Sequence, residues 1–398
     1  MNLLIVHNHY RIPGGEDTVV QNEYELLKKM GHNVTLYTRH NDELGNLGLL
    51  QKLCLPFTFI YSGKTAKDIT EIIREKRIDV VMVHNTLSLI SPSVYYAAVK
   101  LGVPVIQTIH NFRLICPKAT LFRDGHICEE CIQKGLHCAL PHKCYRESFF
   151  QTLLCVISSK IHRRTGIYSK LNYICLTEFN KNKLLTLPGI PEENVRIKPN
   201  FTAKADAIIP YEDRDNIFIY AGRLEDQKGT VELLEAWYLL ETKREDPEEI
   251  PMLSIYGTGP LFETAEKYIE KHHLKRVFIN ASLPHDEIIK RISSVKALIL
   301  PTKWYEGFPM TIAEAISVGT PVIGTDIGNT GDLIRNMGNI GALIDPADMA
   351  GSIAETITEW HKFVYNKDDF EKAADRCGEE ENKRIFNEIL TEVTGKPC

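Results

Sequence analysis

Short apolar runs alternate with longer helical patterns along this chain, and the alternation is written twice. LLIV, NVTLY, DVVMVHN, VPVIQTIH and YICLT mark the first half, and FIYAGR, MLSIYG, RVFIN, ALILP and PVIGTD the second. Continuous apolar runs of this length, each followed by a helix or turn, are the pattern of parallel βαβ units whose strands are covered on both faces. Between the halves, KPNFTAKADAIIPYEDRDN is polar, punctuated by proline and without a helical period, which places the interdomain linker there. The expected fold is α/β, with two doubly wound Rossmann-like domains facing a central cleft lined by strand carboxyl ends. The final stretch is helical by the spacing of Ile385, Phe386, Ile389 and Leu390 and is predicted to cross back onto the first domain. The predicted boundaries are 1–203 for the first domain, with a cysteine-rich insertion at 112–148 and a C-terminal helix at 376–398, and 204–375 for the second.

A length of 398 residues matches two domains of about 200 each. With 43% hydrophobic and 25% charged residues, two full cores are affordable and global disorder is excluded. A formal net charge of −5, with basic residues scattered along helix faces, argues against a nucleic-acid binder. The start lacks a basic n-region and its apolar stretch runs straight into polar residues, so no secretory signal is read. FFQTLLCVIS at 149–158 covers about half of the roughly 20 residues a membrane span needs. A cytoplasmic location is expected, in which the ten cysteines serve as thiols or metal ligands rather than disulfides.

Residues 306–314, EGFPMTIAE, set Glu306 and Glu314 around a Gly-Phe-Pro turn behind the buried strand ALILP. Pro309 suits the first turn of a helix and Gly319 its C-terminal cap, so the turn is a helix N-terminus. The amides of Gly307, Phe308, Pro309's neighbour Met310 and the helix dipole attract a diphosphate there. Glu314 lies about 7 Å along the helix from Pro309 at 1.5 Å per residue. That separation suits one long ligand, with Glu306 on sugar hydroxyls and Glu314 on a ribose. In GRLEDQKG, at 222–229, Arg223 and Lys228 follow strand FIYAG. A guanidinium fork and a point-charge ammonium neutralise a diphosphate without a metal.

These segments, with HNTLSLISPSVYYAA, QTIHNFRLICP, KPN, YGTGP and TPVIGTD, resemble glycosyltransferase family 4, the retaining enzymes of the GT-B fold. The resemblance spans nearly the whole sequence. It implies a carboxyl-terminal half that binds a nucleotide sugar and an amino-terminal half that binds the acceptor. It also implies a functional histidine beside the transferred sugar at His110, which ends strand VPVIQTI, and a Gly14–Gly15 loop that approaches the donor phosphate or the acceptor. The turn at Gly257 and the residues around Leu283 are implied to lie near the nucleotide. Retention of anomeric configuration follows from the resemblance alone. The implied activity is transfer of a hexose or N-acetylhexosamine from a UDP-sugar, or a GDP-sugar, to a saccharide or lipid-linked saccharide in cell-surface polysaccharide assembly. A non-catalytic nucleotide-sugar-binding adaptor and a GT-B epimerase are the alternatives.

DRD at 213–215 is read as solvated linker rather than a metal-binding pair, and no cofactor or catalytic metal is expected. Cys128 and Cys131 form a C-x-x-C pair. With Cys116 and Cys144, and Cys138 as competitor, they read equally as a structural zinc site and as buried thiols. The helix around SFFQTLLCVISSKIHRR carries Phe150, Leu153, Leu154, Ile157 and Ile161 beside Lys160, Arg163 and Arg164. Core packing is the preferred account of that stripe, with peripheral contact to the inner membrane face as the alternative.

Overall fold

The computed structural model describes the chain except for residues 12, 13, 47, 206, 244–248, 397 and 398 and the side chains at 49–52. The chain divides into two compact units. The first comprises Met1–Leu121, Cys128–Phe201 and Glu379–Cys398, and the second Thr202–Gly378 with the short segment Phe122–Ile127.

The first unit is built on six parallel strands: β1 (Asn2–His9), β2 (Asn33–His40), β3 (Val80–Asn85), β4 (Val105–Ile109), β7 (Asn172–Cys175) and β8 (Val195–Ile197). Their order is β2-β1-β3-β4-β7-β8. A two-stranded antiparallel hairpin, β5 (Phe122–Arg123) with β6 (His126–Ile127), interrupts them in sequence. β3 and β4 are buried along their whole length, which is why they read as unbroken apolar runs. The strand order reverses between β1 and β3. At such a reversal the connecting helices leave on opposite faces and open a crevice at the carboxyl ends. His7, His9, His84 and Asn85 stand at that edge, and His110 directly follows β4.

The second unit repeats the plan with β9 (Asp215–Ala221), β10 (Met252–Tyr256), β11 (Val277–Asn280), β12 (Val295–Leu300), β13 (Val322–Thr325) and β14 (Gly341–Ile344). Its order is β11-β10-β9-β12-β13-β14, all parallel, and the reversal falls between β9 and β12. Arg223 and Lys228 follow β9 and Glu306 follows β12, so the topology brings both to one switch point.

Each unit has its own core. In the second, Trp237 is fully buried and its indole Nε1 donates to the Pro251 carbonyl at 3.0 Å. In the first, the helix Glu379–Thr394 contributes Phe386, Ile389 and Leu390 to the cluster beneath β1, β3 and β4. Burying each of these side chains stabilises by about 1.5–3 kcal/mol.

Several expectations need correction. β8 and β14, of three and four residues, were not among the predicted strands. The division falls at 201/202 rather than 203/204, and the returning helix starts at Glu379 rather than 376, because a separate helix, Lys367–Arg376, stays with the second unit. Phe122–Ile127, expected in the insertion of the first domain, is grouped with the second. The proposed linker is exposed at Asp213 and Asp215, as read, but particular residues at its two ends are buried. Lys198 is fully buried and Asn200 and Phe201 nearly so. Arg214, at the centre of DRD, is 4% exposed and donates to the Ile209 and Val318 carbonyls and to Thr320 Oγ1. Burial is affordable because the guanidinium fork is satisfied.

Candidate active site

In the second unit, the donors around Glu306 converge on one oxygen. Oε1 accepts from Lys228 Nζ at 2.7 Å, from Trp304 Nε1 at 2.8 Å and from Thr302 Oγ1 at 3.1 Å. Among the described residues no partner is recorded for Oε2. The carboxylate is 7% exposed, so the ammonium and two neutral donors replace its lost hydration. Lys228 also lies over the Trp304 ring, 5.3 Å from its centroid, a favourable cation–π position. The turn itself is held by Asn329, whose amide Nδ2 donates to the carbonyls of Glu306 and Gly307.

Helix Met310–Ser317 begins immediately after this turn, with Pro309 as the N-cap rather than the first helical residue, and Gly319 follows at φ +68°. The first amides of any helix lack intrahelical acceptors, so this end presents N–H groups and positive potential. Phe308 and Pro309 are themselves buried. Glu314, on the same helix, is 7% exposed and accepts from His285 Nε2 at 3.0 Å.

Arg223 is exposed and pairs with Glu225. Both expected cations therefore stand against carboxylates. Gly257 has a structural reason to be glycine: a Cβ there would lie 1.9 Å from the Gly222 carbonyl oxygen. The two loops run against each other, with Gly222 N–H donating to Tyr256 O and Leu224 N–H to Thr258 O. Gly229 is equally constrained, at φ +70° and with its would-be Cβ 1.8 Å from Pro301 O. Leu283 is half-buried just ahead of the helix His285–Ser293. Sequence reasoning missed Trp304, Thr302, Asn329 and His285. Trp304 and Thr302 stand within four positions of Glu306, and that proximity was the available signal.

In the first unit, His110 lines a cavity of about 220 Å³ with Tyr10, Asn85, Asn111, Arg113 and Tyr145 among its walls. His110 Nε2 is 2.9 Å from His84 Nδ1, and the two rings meet edge to edge with their planes 21° apart. Burial, and the neighbouring His84, hold His110 well below the ordinary histidine range. Gly14 is the N-cap of helix Gly15–Lys29, in extended conformation, and its N–H donates to Asp17 Oδ2 at 2.9 Å. Asp17 Oδ1 also lies 3.0 Å from both His7 Nε2 and His9 Nδ1. This His7, His9 and Asp17 group is the one place among the described residues where three such ligand atoms lie within 4.8 Å. The amide of Gly14, in the loop implied to approach the donor phosphate or the acceptor, is thus capped by the Asp17 carboxylate.

The cysteines gather in one region of the first unit. Cys131 and Cys144 flank the small cluster of Leu136, Ala139 and Val156. Burial, then the thiols of Cys116, Cys144, Cys138 and Cys128, push the Cys131 thiol up to about 12. A tetrahedral four-sulfur zinc site, with zinc–sulfur bonds of about 2.3 Å, needs sulfurs within roughly 4 Å of one another. Among the described residues no three of these sulfurs lie within 4.8 Å of one another. Helix Phe149–Arg164 also departs from the preferred account. It turns Thr152, Cys155, Val156 and His162 inward, while Phe150 is 80% exposed and Ile157 and Ile161 about 40%.

Two family models account for the chain almost end to end. One described as Glycosyltransferase Family 4 matches residues 13–203, and one described as Glycosyl transferases group 1 matches 202–383. The chain is 24% identical to an uncharacterised 42.6 kDa protein of the cps region of Klebsiella pneumoniae, over 92% of this chain and 97% of that one. It is 31% identical to a lipopolysaccharide 1,6-galactosyltransferase of Salmonella typhimurium, over 45% of this chain and half the length of that enzyme. It is 22% identical to the UDP-Gal:α-D-GlcNAc-diphosphoundecaprenol α-1,3-galactosyltransferase of Escherichia coli, over 81% and 79%. Among solved structures, a glycosyltransferase of Rickettsia africae superposes with a TM-score of 0.68 at 17% identity, covering 98% of both chains. Anabaena HepE in complex with UDP gives 0.63 at 14% identity, covering 98% of this chain and all of that one. These structural likenesses establish the fold as GT-B.

Proposed function

The chain belongs to glycosyltransferase family 4, and from that premise we propose that it moves a hexose or N-acetylhexosamine from a UDP-sugar to a saccharide or lipid-linked saccharide, with retention. GDP-sugars are the second choice of donor. The observation that carries this reading is Glu306. One of its oxygens is saturated by Lys228, Trp304 and Thr302, and the other is left to accept from a sugar hydroxyl, at the start of a helix suited to a diphosphate. The largest charge developed in such a transfer sits on the departing diphosphate. Lys228, Arg223 and the amides from Gly307 to Met310 neutralise it, the cations exchanging their carboxylate partners for phosphate oxygens. Glu314 takes the ribose, displacing His285. In the first unit, His110 is assigned to the transferred sugar, as an orienting or charge-stabilising group rather than a proton donor.

UDP is favoured because two of the similar proteins carry it in their names, one as donor and one as bound ligand. A lipid-linked acceptor and a place in surface-polysaccharide assembly are supported by the undecaprenol-linked acceptor and the cps location of the relatives. A peripheral membrane contact agrees with the exposed Phe149, Phe150, Ile157 and Ile161 beside Lys160 and Arg164, and with Leu53 and Phe57 on the neighbouring helix Leu49–Ile60. No helix among the described residues is long and apolar enough to cross a bilayer.

The test is a panel of UDP- and GDP-sugars with lipid-linked saccharide acceptors, followed by nucleotide release and by NMR of the product's anomeric centre. A new glycoside with the donor's configuration is expected. Inversion within the free sugar nucleotide would mean an epimerase, and tight nucleotide binding without release an adaptor.

A further inference from the structure

Behind His110 a row of polar side chains crosses the interior of the first unit. His110 Nε2 is 2.9 Å from His84 Nδ1, His84 Nε2 is 3.5 Å from Glu23 Oε2, and Glu23 Oε1 is 2.9 Å from Lys198 Nζ. Glu23 and Lys198 have no exposed side-chain surface, and His84 is 4% exposed. Lys198 is held at the far end by Asn382 Oδ1 at 3.1 Å and the Pro199 carbonyl at 3.3 Å, with its ammonium over the Phe386 ring. The row therefore draws on the first helix, the ends of β3 and β4, the segment after β8 and the returning C-terminal helix.

Burying an ion pair costs several kcal/mol per charge, and an apolar pair of the same volume is often as stable or more so. Stability alone does not account for this row. Charge at one end of the row and hydrogen-bond capacity at the other fix each member's state. Glu23, charge-paired with Lys198, is an acceptor only. At 3.5 Å its contact with His84 is electrostatic rather than a formed hydrogen bond, yet a lone pair on His84 Nε2 would face that charge unfavourably, so Nε2 carries the hydrogen. Burial, with His7 and Lys198 nearby, keeps His84 neutral. A neutral imidazole protonated at Nε2 has a bare Nδ1, which can only accept. His110 must then donate from Nε2.

We propose that Lys198, Glu23 and His84 are positioning residues that fix His110 in its Nε2–H tautomer and leave His110 Nδ1 as the acceptor for a substrate hydroxyl in the cavity it lines. This rests on the reading of His110 as a sugar-facing residue. The tautomer itself does not.

The experiment is long-range proton–nitrogen NMR on the full chain labelled in histidine, with His110 assigned by its loss in His110→Gln. The wild type should show His110 protonated at Nε2 and bare at Nδ1. The double variant Glu23→Leu with Lys198→Met removes both charges at similar volume and should fold. In it both His110 tautomers should be populated, and kcat should fall on the order of 10- to 100-fold while the donor KM stays unchanged. A wild-type His110 protonated at Nδ1 overturns the proposal, as does a double variant that keeps both the tautomer and kcat. Should the double variant not fold, His84→Gln is read by the same signal, and an unchanged tautomer in it is equally fatal. A wild type that turns over no sugar nucleotide refutes the glycosyltransferase reading alone, because the tautomer signal is read without substrate.

Discussion

Lys228 Nζ stands 2.7 Å from Glu306 Oε1, so the cation assigned to the leaving group and the carboxylate assigned to the sugar form one ion pair. The two residues come from opposite sides of the β9/β12 switch point. Substrate binding on this reading is an exchange of partners rather than the filling of an empty charge.

Replacing Lys228 with alanine removes both the counter-charge of a buried carboxylate and the phosphate ligand. Nucleotide release should fall by about 10²–10³-fold, the usual cost of one charge-stabilising group. Stability should fall by about 1–3 kcal/mol because Glu306 is left short of a donor. Glu306→Gln keeps the volume and removes the charge, so its unfolding midpoint should move little while turnover drops. Steady-state kinetics beside thermal unfolding separate the two outcomes. Wild-type turnover in Lys228→Ala removes the leaving-group assignment.

Gly257 and Gly14 should respond oppositely to alanine. A Cβ at Gly257 meets the Gly222 carbonyl oxygen at 1.9 Å, and two backbones must part to admit it. The expected loss is about 1–3 kcal/mol or more by denaturant titration. At Gly14 nothing lies within 4 Å and the backbone is extended, so Gly14→Ala should be neutral in stability. Lost activity with unchanged stability at Gly14 would then report a ligand approaching that loop.

Adjacent carboxylates in the first unit titrate in opposite directions. Burial pushes Glu16 up from 4.5 to about 8, against a hydrogen bond from Tyr10. Burial works against Asp17 as well, but bonds from His7, the Gly14 amide and His9 outweigh it and bring Asp17 from 3.8 down to about 2. The signs follow by linkage. Glu16's contribution is complete below pH 4.5 and is lost as pH rises through about 8. That of Asp17 is complete above 3.8 and is lost as pH falls through about 2. Glu16→Gln should therefore flatten the decline in stability between pH 4.5 and 8, which chemical denaturation across that range measures. An unchanged slope rules out the buried, protonated Glu16.

What could be read in the chain was what local pattern encodes. β3, β4 and β12 are continuous apolar runs because helices cover both faces, and the Glu306 turn shows its strand, proline and helix in one short segment. β8 and β14 are too short to carry a period. Arg214 lies among charged neighbours that look solvated, and only its tertiary acceptors reveal its burial. The Glu23–Lys198 pair was equally hidden, since a glutamate on an amphipathic helix and a lysine before a proline carry no mark of meeting in the interior.

The exposed side of helix Phe149–Arg164 leads to the last prediction. Its inward face already uses Thr152, Cys155, Val156 and His162, and His162 Nε2 and Nδ1 are bound to the Ile60 carbonyl and Tyr96. Phe150 and Ile157 thus contribute little to the folded state, and Phe150→Ser with Ile157→Ser should leave the unfolding midpoint within about 0.5 kcal/mol of wild type. If the face meets anionic lipid, the same double variant should lose most of its co-flotation with phosphatidylglycerol vesicles, because each large apolar side chain withdrawn from water at the interface contributes about 1.5–3 kcal/mol. Added salt should weaken wild-type binding through Lys160 and Arg164 without abolishing it, since the apolar contribution is not screened. Wild-type protein that stays with the aqueous fraction at low ionic strength would sink the membrane contact and leave the transfer chemistry untouched.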